Sequence, residues 1–390
     1  MFERVGNPDR ERVWAEVDLN ALEHNIRVLR AGMRPGCKFM AMIKANAYGH
    51  GAIICAERAV SAGADALGVV RFDEAFELRT AGIDAPILIV SPLPDATLAD
   101  ALEIGCILTV DQPEQMRLLS AIAVKSGCTV DVHLKVDSGM HRLGIDPTDP
   151  RAIEEWVALC DLPGTRLSGV YTHFAYADFP EQTETSVQFA RFADFVARLK
   201  AASGRELVVH AAASAALMRW PEYHADMVRC GAAIYGLHLD NCEDLPVNAE
   251  LRPVMAVKAQ LIRKRLLRPG DRVSYGGRFT VTEPMVVAVA GIGYGDGYPR
   301  ILSGRAYGMI EGCPVPQIGT ICMDSCLFDL TPYQKLKGLS AEQLLVDPGP
   351  EIITLLGDGL TAETLAEWGE TIGHEIITGI SSRVPRYPRC

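Results

Sequence analysis

Between Cys37 and Gly236 the sequence repeats one unit: a short apolar run, then a segment with apolar residues at helical spacing, then another apolar run. The runs are CKFMAMIKA, ALGVV, PILIVS, CILTV, TVDVHLKVDSG, LSGVYTHF, ELVVHA and MVRCGAAIYG. Between them lie AIICAERAVSAGA, DEAFELRTAG, PDATLADALEIG, PEQMRLLSAIAVKSG, DPRAIEEWVALC, a longer stretch from about Gln182 to Ser203, and SAALMRW. A strand that is apolar along its length needs cover on both faces, and a helix after each strand supplies it in a parallel sheet. Eight such strands predict a closed (β/α)8 TIM-type barrel, an α/β fold. Ahead of the repeat, VWAEVDL reads as a strand, and Asp18 is placed to cap a helix carrying Leu19, Leu22, Ile26 and Leu29.

After NCEDLPVN the pattern changes to short strands broken by Gly and Pro: MAVKAQLIRKRLL, DRVSYGG, MVVAVAGI, AYGMIEG and SCLFDL. EIITLLG reads as a further strand, and TAETLAEWGETIG as a helix opened by Thr361. The expectation is therefore two domains: a barrel over residues 1–245, with residues 1–17 able to pack on the second domain, and a mainly β domain over 246–390.

Composition narrows the partners. The chain has 48% apolar and 22% charged residues, an ordinary globular balance. Its formal charge of -11 with no basic tract argues against nucleic acid. The charged first residues suit neither a signal peptide nor an anchor, and no apolar window has the length of a membrane span. Eleven cysteines, scattered and without a CxxC pair, suit a reduced, cytoplasmic chain. No HExxH motif or His/Cys cluster at ligand spacing is present, so no catalytic metal is expected.

In a barrel of this kind, chemistry collects where the strands end at their C-termini. Those ends carry Lys44, Arg71, Lys135 with Asp137 and Arg142, His173, His210 with Ser214, and Arg229 with Gly231. Lys44 closes the apolar run FMAMI, where an amine must either reach water or be held by a partner. Ser214 at a helix start, with the amides of Gly231 and Ala232, could cradle a phosphate. A lysine, a phosphate site and a ring such as His173 suit pyridoxal phosphate, whose aldehyde an uncharged lysine attacks. Arg229 facing the pyridine nitrogen would keep that nitrogen unprotonated. Taken singly, each has a plainer reading: a snorkelling lysine, a helix cap, a core histidine, a surface ion pair.

Taken in order, AMIKANAYGHG, HLKVDSGMHRLG, YTHF, MVRCGAAIYG, VSYGG, GIGYGDGYPR, GTICMDSC and SSRVPR resemble the motifs of the alanine racemase family, from Trp14 to Arg386. The resemblance implies a barrel plus a β domain, pyridoxal phosphate, and a head-to-tail homodimer with shared active sites. It makes Lys44 the Schiff-base lysine and the base on the D-enantiomer's side. It makes Tyr275 the opposite base, supplied by the second subunit and assisted by His173. Arg229 would meet the pyridine nitrogen; Tyr48, Ser214, Gly231 and Ala232 would hold the phosphate. Arg142, Met323 and Asp324 would serve the substrate, and Lys135 would be carbamylated and paired with Arg142, or else uncarbamylated and bonded to Asp137. Ser382, Ala213 and Ala232 depart from the family's usual residues around the cofactor. The implied activity is interconversion of L- and D-alanine, feeding peptidoglycan. Racemisation of serine or a broader set, decarboxylation on a related barrel, and a non-enzymatic cofactor-binding barrel are the competing readings. Arg229 opposes the second of these, because such enzymes need an acidic partner for the pyridine nitrogen, and the β domain with Tyr275 opposes the third.

Overall fold

The computed structural model describes residues 8–179, 181, 183–239, 241–242, 244–346 and 351–389; Gln182, the expected start of the long helix, lies outside them. Internal contacts divide the chain into two compact units. The first contains Leu22–Ala47 and Ala52–Arg252, and the second contains the remaining described residues, Tyr48–Gly51 among them.

The second unit opens with β1 (Val13–Asp18), and the first unit is built on β2 (Lys38–Met42), β3 (Ala66–Val69), β4 (Ile87–Ile89), β5 (Ile107–Val110), β6 (Val130–Lys135), β7 (Thr165–Tyr171), β8 (Val208–His210) and β9 (Met227–Cys230). Strands β2 to β9 pair in parallel in chain order and close on themselves, β2 meeting β9 through Phe39 and Val228, so the expected barrel is present. Closure leaves no strand edge, and β3, β4 and β9 are buried at every residue. Helices follow the strands as the periodicity predicts, the longest over Glu184–Ser203. Asp18 Oδ1 accepts the Ala21 N–H at 2.8 Å, which starts the Leu19–Ala31 helix as expected.

In the second unit β10 (Met255–Leu267) is the long central strand. With β11 (Arg272–Val273), β12 (Phe279–Thr280), β13 (Met285–Ala290), β14 (Tyr307–Ile310), β15 (Cys313–Ile318), β16 (Cys326–Asp329), β17 (Ile352–Leu356) and β18 (Arg386–Arg389) it makes a mainly β body. One eight-stranded sheet runs β13-β16-β15-β14-β17-β10-β1-β18, and β11 with β12 forms a separate ribbon. Val273, Val281, Met285, Val287 and Ile318 form a core cluster in this unit. The helix Ala362–Gly369 is capped by Thr361, whose Oγ1 accepts the Thr364 N–H. Two features differ from the sequence reading. CPVPQI is a strand despite Pro314 and Pro316, because those residues pair only with β14; pairing to β16 begins at Gln317, so the missing N–H groups leave no ladder bond unmade. Short helices also occur at Thr331–Lys337, Ala341–Val346 and Gly373–Thr378.

Candidate active site

Lys44 follows β2, and the backbone beyond it is unusual. Ala45, Asn46, Ala47 and Tyr48 all have φ between 52° and 54°, a single left-handed turn built without glycine. Such a conformation costs about 1–2 kcal/mol per L-residue, so outside bonds must hold it. Three are visible: Ile43 O accepts the Ala47 N–H, Glu74 Oε1 accepts the Ala45 N–H at 2.6 Å, and Asn46 Oδ1 accepts the Ala52 N–H. Lys44 is half-buried; desolvation first, and then the charge of Arg142, lower its pKa, while Glu74 opposes them.

On β6 the Lys135 amine lies 4.5 Å above the Tyr171 ring, and burial with the charges of Arg229 and Arg142 brings its pKa down to about 7. Asp137 does not bond this amine. Its Oδ1 accepts the N–H groups of Gly139, Met140 and His141, shaping the loop that leads to Arg142. Gly144 closes that loop at φ +120°, and a Cβ there would lie 2.5 Å from the Asp137 nitrogen, so only glycine fits. Its N–H goes to Asp111 Oδ2.

Arg229, buried on β9, is the hub of this rim. Its Nη2 donates to the carbonyls of Thr172 (2.7 Å) and Ala211 (3.0 Å) and to His173 Nδ1 (3.3 Å); its Nη1 donates to His210 Nδ1 (3.0 Å). Burial lowers its pKa to about 10, which leaves it cationic at neutral pH. Burial, with Arg229 next, holds His173 and His210 neutral, well below the ordinary imidazole range. Among the described residues the Nε–H and the second Nη1–H of Arg229 take no hydrogen-bond partner, which leaves them for a ligand.

Ser214 is not the cap of its helix; Ala213 occupies that position and has no oxygen to offer. Ser214 Oγ instead accepts the Gly231 N–H at 3.2 Å, joining the ends of β8 and β9. Just beyond, Ala232 and Ala233 open a 3-10 turn, where no preceding carbonyl reaches their amides. Arg71 departs from the rim: it is exposed and pairs with Asp73.

Tyr48, Tyr275, Met323, Asp324 and Ser382 belong to the second unit. Tyr48 is buried, its ring centroid 6.2 Å from that of His374. Tyr275 is 73% exposed and Met323 53% exposed. Their segments are tied together: Thr320 Oγ1 donates to the Tyr275 carbonyl, and Ser274 Oγ donates to the Thr320 carbonyl. Asp324 is held by Arg383, which also pairs with the buried Asp296. Ser382 is exposed. The sequence reading missed Glu74, His133 and Tyr171 as parts of the rim and its support, since each acts on residues far away in the chain. Among the described residues no group of three His, Cys, Asp or Glu side chains could hold a metal ion, and no helix is long and apolar enough to cross a membrane.

The barrel with its polar rim and the separate β body define a two-unit barrel enzyme. Comparison with known proteins gives the particular family. Residues 17–239 match the family model for the alanine racemase N-terminal domain, and residues 254–388 the model for its C-terminal domain. A curated alanine racemase of Desulfosudis oleivorans is 41% identical, with 96% of this chain and 95% of that protein covered. The solved alanine racemase of a D-cycloserine-producing Streptomyces lavendulae superposes with a TM-score of 0.89 at 34% identity, covering 99% of this chain and 98% of that one. An alanine racemase from Bartonella henselae, solved with covalently bound pyridoxal phosphate, gives 0.83 at 26% identity, covering 97% and 100%. The chain belongs to the alanine racemase family, a family of isomerases.

Proposed function

We propose that this chain racemises alanine with pyridoxal phosphate attached to Lys44. The observation that carries the reading is a half-buried Lys44 at the end of a barrel strand, whose protonation desolvation and Arg142 disfavour, in a chain of this family. An uncharged amine is the form that attacks an aldehyde. The barrel residues suit the cofactor in their chemistry: Arg229 would face the pyridine nitrogen, His173 the ring, and Ser214, Gly231 and Ala232 would hold the phosphate, a role the family resemblance also gives Tyr48.

When bound, the cofactor takes up the electron pair left as the substrate's Cα loses its proton. Racemisation then needs a proton removed on one face of Cα and returned on the other. Lys44 acts on the D face. Tyr275 acts on the L face of the site in a second subunit, with Met323 and Asp324 beside the substrate carboxylate. The exposure of Tyr275 and Met323 supports this homodimeric arrangement. Arg142 is the cation on the same rim for the carboxylate. Arg229, a cation held by two carbonyls, keeps the pyridine nitrogen unprotonated, which restrains side reactions in favour of proton return. Lys135, with a pKa brought to about 7, has the neutral amine that carbamylation requires. The product, D-alanine, would feed peptidoglycan in the cytoplasm, a setting supported by the cysteines, all of which are free of disulfides among the described residues.

The test is purified protein with added pyridoxal phosphate, followed by loss of optical rotation across a panel of L-amino acids. Alanine should be the fastest substrate. Faster turnover of serine would move the assignment to a serine or broad-range racemase, and cofactor binding without racemisation would refute an enzymatic role.

A further inference from the structure

Arg229 does not stand alone: its Nη1–H is the last link of a chain of buried rings that none of its expected roles uses. His210 Nδ1 lies 3.0 Å from Arg229 Nη1, and His210 Nε2 lies 2.9 Å from His133 Nδ1. Both rings are buried, His210 completely.

The protons in this chain can be placed by elimination. A guanidinium only donates, so His210 Nδ1 must be bare and its proton must sit on Nε2. His210 Nε2–H then donates, so His133 Nδ1 must be bare and its own proton must sit on Nε2. The opposite order would set two donors face to face at Arg229. Packing fixes the ring planes as well. Tyr171 stacks on His210 with centroids 4.7 Å apart and planes 6° from parallel. The His133 ring lies against the open face of Gly169, where a Cβ would come within 2.6–2.7 Å of three ring atoms.

We propose that His133 is a positioning residue for Arg229: by accepting the His210 Nε2–H it locks His210 in the tautomer whose Nδ1 can receive the guanidinium. Without that acceptor, His210 keeps a buried N–H unpaired in one tautomer and a bare nitrogen in the other, so Nε2 no longer fixes where the proton sits and the ring can carry it on Nδ1. That shift turns an acceptor into a donor and pushes Arg229 from its seat. The effect on catalysis rests on the reading above that Arg229 meets the pyridine nitrogen; the tautomer lock itself does not.

The experiment uses the pyridoxal phosphate-loaded protein with nitrogen-15 histidine, in wild type, His133→Leu and His133→Asn, whose amide oxygen can replace the Nδ1 acceptor. Long-range proton–nitrogen spectra of the wild type should show His133 and His210 neutral and protonated on Nε2. In His133→Leu the His210 pattern should change, the pyridine nitrogen-15 resonance of labelled cofactor should shift, and kcat should fall about tenfold with KM within about twofold. His133→Asn should restore both spectra. A wild-type His210 protonated on Nδ1, or an unchanged His210 in His133→Leu, overturns the proposal. If His133→Leu does not fold, a folded His133→Asn with a wild-type His210 spectrum supports the lock, and one with an altered His210 overturns it. A changed His210 with an unmoved pyridine resonance would uphold the lock and refute the cofactor contact of Arg229.

Discussion

Glu74 ties two strand ends together: its Oε1 accepts the Ala45 N–H at 2.6 Å, while its Oε2 accepts the N–H groups of Val70 and Arg71. One carboxylate thus joins the left-handed turn after Lys44 to the start of the helix Phe72–Thr80. Glu74→Gln keeps the shape but removes the charge and turns one oxygen into a donor facing a donor. The loss should be about 1–3 kcal/mol, the range for charge-assisted bonds that become unpaired. Urea unfolding should show a lower midpoint with an unchanged slope. A midpoint equal to wild type would mean that the turn holds itself.

The strain in that turn can be measured by relieving it. Ala45 has φ 52° and ψ 49°, a region where glycine has no steric penalty. Ala45→Gly should recover about 1–2 kcal/mol of left-handed strain, against a cost of about 0.4–1 kcal/mol from the freer unfolded chain. A modest rise in the urea midpoint is expected. A fall would show that the backbone at Ala45 is unstrained.

The barrel was legible because its signal is local and repeated: buried parallel strands are apolar throughout, and the intervening helices are periodic. Lys44 was legible for the same reason, as the first charge after an apolar run. The left-handed turn was not. Ala45 and Ala47 are good helix formers, and no glycine marks the positive φ. Glu74 reads as one more surface charge in DEAFELRTAG; only the fold brings it against Ala45, 29 residues away. His133 and His210, 77 residues apart, sit on strands that the sequence gives no way of pairing with each other's side chains. Pro314 and Pro316 hid β15, because whether proline is tolerated depends on which side of a strand has a neighbour.

Lys135 should make stability depend on pH. It binds its proton less well in the folded chain, at about 7, than at the ordinary lysine value of 10.5. Between these values the unfolded chain holds more protons, so stability rises with pH across the window; below about 7 both states are charged and the burial penalty is complete. Lys135→Met should remove this slope, at most about 1.4 kcal/mol per pH unit, and should be most stabilising at the acid end. Urea titrations in carbon dioxide-free buffer test it. Wild type in bicarbonate should lose the slope too if the amine is carbamylated, since a carbamate no longer titrates as an amine. A variant with the wild-type slope would assign the pH dependence to other groups.

Tyr275 provides the sharpest test of the two-base reading, because its removal should affect the two enantiomers unequally. The ring is 73% exposed in its own chain and its backbone carbonyl is anchored by Thr320, so Tyr275→Phe should leave the fold intact. Phe keeps the ring and deletes the hydroxyl that would take the proton from L-alanine. In single-turnover exchange with deuterated solvent, proton removal from L-alanine should slow about a hundredfold or more, as expected for loss of a general base. Removal from D-alanine, assigned to Lys44, should slow far less in the first exchange. Mixing Tyr275→Phe with a Lys44→Ala chain supplies the control for sharing between subunits. If Tyr275 serves the partner's site, a mixed dimer has one site with both bases intact and one with neither, so it recovers activity that neither parent dimer possesses. No recovery in a verified mixed dimer would place Tyr275 at the site of its own chain, and equal slowing of both enantiomers would remove it as the L-face base.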